Sequence, residues 1–213
     1  MKLFKVKEKL EKKQIKKRGI KKEYKNNINS KRNDLKIIGI TGSRGKSTTA
    51  LMIHKYLKSS GYKSTLYSSV MVDSPASHLK KNEAYEVAVR DEESLISIIE
   101  EVGAYGAEYL VLEVNESSLE KGFLKDVPFD VRVLTNLNPK HNLEQYSEEQ
   151  YVDLKKSFFK DIEDDCKCVF GFQDYSKELL DELLQLNSYP KFVCSSNYIA
   201  TLKGLDKEKV KCL

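Results

Sequence analysis

Residues 41–49 read Thr-Gly-Ser-Arg-Gly-Lys-Ser-Thr-Thr, and a run of these types could grip a chain of phosphates. Gly42 and Gly45 let the backbone turn so that successive N–H groups point inward at phosphate oxygens. Lys46 has the reach to meet β- and γ-phosphates, and the Ser47 hydroxyl can ligate Mg²⁺. The binding segment thus runs from Gly42 through Ser43, Arg44, Gly45, Lys46 and Ser47 to Thr48. It follows a short apolar segment at 36–41 and opens a helical pattern at 46–60, the context a phosphate loop requires. The helix N-terminus would add partial positive charge at the same point. The general G-x-x-x-x-G-K-[ST] pattern would put its first glycine at position 40, where this chain has Ile40; the spelling present is T-G-x-x-G-K-S-T-T.

A second candidate is Glu113, which ends the apolar run 109–114. A carboxylate closing a buried strand beside a phosphate loop suits Mg²⁺, which takes one or two carboxylates together with phosphate oxygens and water.

These residues need a frame. Short apolar or β-branched runs at 36–41, 64–70, 109–114, 130–135, 167–172 and 191–194 read as strands. Helical patterns fall at 46–60, 92–102, 117–125, 148–162 and 175–186. In the first of these helices Ala50, Ile53, Tyr56 and Leu57 share a face, and Gly61 stands at the C-cap. Residues 71–90, with Pro75 and His78, read as irregular. Strands alternating with helices predict an α/β fold: a doubly wound, mostly parallel sheet with helices on both faces. Ligands of such sheets sit at the carboxyl ends of the strands, which singles out residues 42–47, 113–116 and 136–141.

The net charge of +5 over 213 residues is unevenly placed. Residues 1–34 carry fourteen Lys/Arg against four Asp/Glu, and the remainder is net acidic by 5. The expected organisation is a basic, solvated arm over 1–34, with a short amphipathic helix through Leu3, Val6 and Leu10 as the other reading, and one domain over 35–213. An acidic membrane surface or nucleic acid could meet such an arm; nucleic acid is the disfavoured partner, because it rests on the arm alone. The four cysteines, Cys166, Cys168, Cys194 and Cys212, make no zinc pattern and read as reduced thiols in or beside strands. No apolar run is long enough to span a bilayer, and the N-terminus has no secretion signal, so a cytoplasmic protein is expected.

The shortened loop spelling resembles the Mur ligase family, ATP-dependent enzymes that join an amino acid to a carboxylate. More segments agree, in the family's order. Residues 110–114, Leu-Val-Leu-Glu-Val, are similar to the strand bearing the family's Mg²⁺-binding glutamate, which the resemblance places at Glu113. Residues 129–137 resemble the next strand and its Thr-Asn-Leu turn, implying that Asn136 contacts the nucleotide base. His141 matches a histidine that helps hold a second Mg²⁺, although Lys140 stands where the family usually has Asp. Residues 151–156 resemble the helix that carries a carbamylated lysine, here Lys155. The resemblance covers roughly residues 36–210, the family's central ATPase domain.

It implies ATP and Mg²⁺ as cofactors, a carboxylate and an amino acid as substrates, and an acyl phosphate on the way to an amide. Two features depart from the pattern. The stretch after the metal strand is Asn115-Glu116-Ser117, where common members have Ser-Ser-His. The family's N-terminal UDP-sugar domain and C-terminal domain have no counterpart in these residues, so a second chain supplying the latter is expected. The loop is also similar to that of the poly-γ-glutamate synthase branch. The rival readings are an ATP-binding regulatory or scaffold module and a GTPase or small-molecule kinase; the second lacks an Asn/Thr-Lys-x-Asp guanine motif.

Overall fold

The computed structural model describes residues 32, 34–74, 89, 91–138, 140–160, 166–171, 176–187, 190–194 and 210–212, the last three, 125 and 126 in backbone only. The possible helix at the N-terminus and most of 71–90 lie outside them.

Among the described residues eight strands form one sheet: β1 Lys36–Thr41, β2 Ser64–Tyr67, β3 Val72–Asp73, β4 Tyr109–Glu113, β5 Val131–Leu134, β6 Lys167–Gly171, β7 Lys191–Cys194 and β8 Val210–Cys212. Their order is β3-β2-β4-β1-β5-β6-β7-β8. Every pairing is parallel except β2 with β3. The helices are α1 Lys46–Ser59, α2 Glu92–Ala104, α3 Glu116–Lys121, α4 Glu148–Ser157 and α5 Lys177–Gln185, with a 3₁₀ turn at Phe123–Asp126. The doubly wound, mostly parallel architecture is as the alternation of patterns predicts.

Two apolar cores lie on the two sides of the sheet. Ala50 and Leu57 of α1 pack with Ile38, Ile40, Leu66 and Val111. The larger core joins Ile37, Leu110, Leu112 and Leu134 to Leu95 and Ile99 of α2, Tyr151 of α4 and Leu180 and Leu183 of α5. Side chains alternate across each strand, so Ile37 and Ile38 necessarily serve opposite cores. Burying an aliphatic side chain of this size contributes roughly 1.5–3 kcal/mol.

The buried face of α1 differs from the pattern reading. Ala50, His54 and Leu57 are buried, and Tyr56 is exposed. Positions 50, 54 and 57 repeat at i, i+4, i+7, and Tyr56 sits about 100° away from Leu57. His54 tolerates burial because both ring nitrogens are engaged: Nδ1 with Ser64 Oγ at 3.0 Å and Nε2 with Asp73 Oδ2 at 3.0 Å. Lys58 Nζ donates to the same Asp73 oxygen at 3.0 Å. Burial alone would raise the Asp73 pKa, but the Lys58 and His54 hydrogen bonds outweigh it and hold it below the usual range. A carboxylate with a lowered folded pKa contributes stability above its unfolded value and loses it as pH falls. Asp73→Asn is therefore expected to reduce unfolding free energy by about 1 kcal/mol at pH 7. The gap should narrow at pH 3; denaturant melts at the two pH values read both.

Cys166 and Cys168 are buried thiols, and Cys194 ends β7 half-buried. Among the described residues no helix is long and apolar enough to cross a membrane.

Candidate active site

The site lies at the carboxyl ends of β4, β1 and β5, neighbours at the middle of the sheet. At the end of β1 the chain turns through Gly42, φ 151°, and Gly45, φ 75°. Gly45 is the N-cap of α1 and leaves its first turn without a side-chain cap or an acidic residue. By contrast Asp91, Asn115, Ser147 and Ser176 cap α2 to α5 with their side chains. The amides at the start of α1 thus present donors and dipole to an outside anion. Lys46 Nζ folds over the loop, 3.0 Å from the Gly42 carbonyl oxygen that accepts from it.

The other side of the loop is strapped to β5. Ser43 N donates to Asn136 O at 3.1 Å, and Arg44 N to Asn136 Oδ1 at 3.1 Å. Asn136 Nδ2 and Thr135 Oγ1 both donate to Arg44 O, at 2.9 and 2.6 Å. Ser43 Oγ accepts from Asn138 N at 2.8 Å and from Tyr151 OH at 3.1 Å. Here Ser43 and Asn136 serve as struts that fix the loop's shape. Arg44 and Thr48 lie on the exposed side.

Ser47 and Glu113 converge through Ser69, just beyond β2. Ser47 Oγ is 3.0 Å from Ser69 Oγ. Ser69 donates to Glu113 twice, from N at 2.9 Å and from Oγ at 3.1 Å. Glu113 is only 3% exposed and has no ion-pair partner among the described residues. A buried carboxylate without a cation is costly. That orphan charge, beside the hydroxyl of Ser47, is a hard-oxygen set that fits Mg²⁺ when phosphate oxygens complete it. Among the described residues no group of three or more His, Cys, Asp or Glu side chains could hold a metal alone.

On the opposite side of the loop Lys155 is wholly buried. Its Nζ lies 2.7 Å from Glu116 Oε1 and donates to Thr41 Oγ1 at 3.0 Å. Lys46 Nζ is 3.9 Å from that same Glu116 oxygen, and Tyr151 OH donates to it at 3.3 Å. Burial pushes the Lys155 pKa down to about 8, against the pull of Glu116. For Glu116, burial acts upward, but the Lys155 charge outweighs it and holds the carboxyl below its usual range. Each partner therefore favours the charged form of the other, and for Lys155 burial works against it. Burial raises the Tyr151 pKa, which keeps its hydroxyl a donor.

His141 stacks obliquely on Tyr151, with ring centroids 5.7 Å apart. Its Nδ1 is buried without a partner among the described residues. Burial first, then the charges of Lys46, Arg44 and Lys155, depress its pKa despite Glu116. A neutral imidazole with an orphaned nitrogen fits a metal ligand.

The structure thus gathers Gly42, Gly45, Lys46, Ser47, Glu113, His141 and Lys155 around one loop. Sequence reading passed over Ser69, Thr135 and Tyr151 as site residues, and marked Glu116 only within the strand-end stretch 113–116 and as a departure from the family's spelling. Two signals were available: Ser69 sits at the carboxyl end of a strand, and Tyr151 lies one helical turn before Lys155.

The geometry agrees with what comparison finds. The chain is 30% identical over 159 residues to UDP-N-acetylmuramoyl-L-alanyl-D-glutamate–2,6-diaminopimelate ligase of Fusobacterium nucleatum, covering 70% of this chain and 30% of that protein. It therefore spans about a third of the length of the curated relatives it matches. In fold it is similar to a solved ligase of the same name, with a TM-score of 0.62 and 21% identity, over 76% of this chain and 32% of that one. It also resembles the bifunctional folylpolyglutamate synthase/dihydrofolate synthase of Yersinia pestis, with a TM-score of 0.56 and 18% identity, over 81% and 47% of the two chains. Residues 40–207 match the sequence model of the Mur ligase middle domain, and the chain belongs to that family.

Proposed function

We propose that this chain is the ATP-binding part of a Mur-type ligase that forms an amide between a carboxylate and an amino acid through an acyl phosphate. The observation that carries this reading is the pairing of an uncapped α1 N-terminus under Lys46 with the orphan carboxylate of Glu113, both at the same strand ends. The Yersinia protein was solved with AMPPNP and a Mn ion, which supports a nucleotide and a divalent cation for the fold.

In this reading the amides of α1 and the Lys46 ammonium hold the β- and γ-phosphates of ATP. Ser47 and Glu113 would hold Mg²⁺, which supplies charge neutralisation on the phosphate oxygens; His141 would hold a second ion. Lys46 would meet the γ-phosphoryl group as it passes to the substrate carboxylate, and the buried Lys155 would add its charge from behind Glu116, both stabilising charge that spreads over the phosphoryl oxygens. An amine then attacks the acyl phosphate and releases phosphate. Asn136 fixes the loop through the Arg44 backbone and would contact the base from there. The basic arm, net +10 over residues 1–34, suits an acidic membrane surface.

The test is ADP release with Mg²⁺-ATP, screened over amino acids with poly-glutamate and other carboxylate acceptors, for the chain alone and with co-purified proteins. Release that needs both acceptor and amino acid, with an amide product, is expected. Tight ATP binding with no amide product in any combination would favour a regulatory module.

A further inference from the structure

Lys155 is the position at which the family resemblance implies a carbamylated lysine, yet its surroundings here disfavour the modification. The side chain is wholly buried. Its nitrogen is held by Glu116 Oε1 at 2.7 Å and by Thr41 Oγ1 at 3.0 Å, and it lies 5.4 Å from the Tyr151 ring centre. A carbamate on that nitrogen would set a second carboxylate against that of Glu116, itself largely buried. Like charges so close in a poorly solvated place cannot both ionise without a large penalty. Glu116 is also where the chain departs from the family's Ser-Ser-His spelling, so the carboxylate and the altered sequence coincide.

We propose that Lys155 works as an unmodified ammonium clamped by Glu116, so that the pair is neutral overall and leaves no anion at that position. One oxygen of Glu116 faces Lys155 at 2.7 Å, Tyr151 OH at 3.3 Å and Lys46 at 3.9 Å. It thereby sets the direction of two cations at the loop. Glu116 is a positioning residue acting through those lysines. Asn115, which caps α3 by accepting from Ser118 N, anchors the turn that carries it. The inference rests on the ligase reading for its purpose, but not for its chemistry.

The experiment is ¹³C NMR of the full chain equilibrated with ¹³C-bicarbonate, without nucleotide. The wild type is expected to show no lysine-carbamate resonance. Glu116→Ser removes the counter-charge, so the buried ammonium gives up one proton to solvent and becomes an amine; its lone pair then bonds the carbon of CO₂, one C–O π pair moves onto oxygen, and a second proton leaves nitrogen for solvent. A carbamate resonance is therefore expected in Glu116→Ser, and it should vanish when Lys155→Gln is added. Glu116→Asp keeps the ion pair and should keep the resonance absent. Should Glu116→Ser fail to fold, Glu116→Gln preserves the size of the side chain and carries the same expectation. A Lys155-dependent carbamate signal in the wild type overturns the proposal, as does its absence from both folded neutral variants. Because no nucleotide is present, this readout stands or falls separately from ATP use.

Discussion

Replacing Lys46 by alanine is expected to abolish ATP turnover, with a fall of at least about 10²–10³-fold, while the fold survives. Removal of one preorganised donor aimed at transition-state charge costs on the order of 3 kcal/mol, and Lys46 brings a full charge. The fold should survive because the ammonium's partners are local: a loop carbonyl at 3.0 Å and a carboxylate at 3.9 Å. Glu116 also keeps Lys155 at 2.7 Å, so its charge is not stranded by the substitution. ADP release and a thermal melt on the same preparation separate the two effects. Turnover equal to wild type would remove Lys46 from the phosphates.

The second large effect is expected at Gly42. Its φ of 151° lies in the range that side chains avoid, and a Cβ there would stand 2.0 Å from Thr135 Oγ1. Thr135 cannot retreat freely, since that oxygen donates to Arg44 O at 2.6 Å and so ties the loop to β5. Gly42→Ala must either break this tie or twist the turn. A strained backbone and an overpacked contact each cost about 1–3 kcal/mol. The loop shape that aims the α1 amides should be lost with it. Nucleotide affinity is expected to fall by tenfold or more and the melting temperature to drop. Gly45→Ala offers a comparison: it shares the positive φ, but its Cβ would meet nothing within 4 Å. It should fold better than Gly42→Ala.

Much of the frame was legible because parallel strands buried on both faces read as continuous apolar runs, as β1 and β4 do. β3 and β8 escaped notice because two- and three-residue strands have no period to detect. Helix α4 ends at Ser157 rather than running to 162. The carbonyls at that end are taken by distant donors: Arg132 Nη1 bonds Phe158 O, and Asn187 Nδ2 bonds Phe159 O at 3.0 Å. Such tertiary partners are invisible to helical periodicity.

The candidate site divides the same way. The phosphate loop is contiguous, so its glycines, lysine and serine announce themselves locally. Ser69 matters only because it meets Glu113, 44 residues away, and Tyr151 because it meets Ser43, 108 residues away. Glu116 was visible as a departure from a familiar spelling, but its pairing with Lys155 depends on how α3 and α4 pack.

The central claim is that the turn after β1 holds a nucleoside triphosphate with Mg²⁺. Titration calorimetry of the full chain with AMPPNP, with and without Mg²⁺, addresses it most directly. One Mg²⁺-dependent site per chain, lost in Lys46→Ala and weakened in Gly42→Ala, is the expected result. Absence of binding, or binding indifferent to both substitutions, would contradict it.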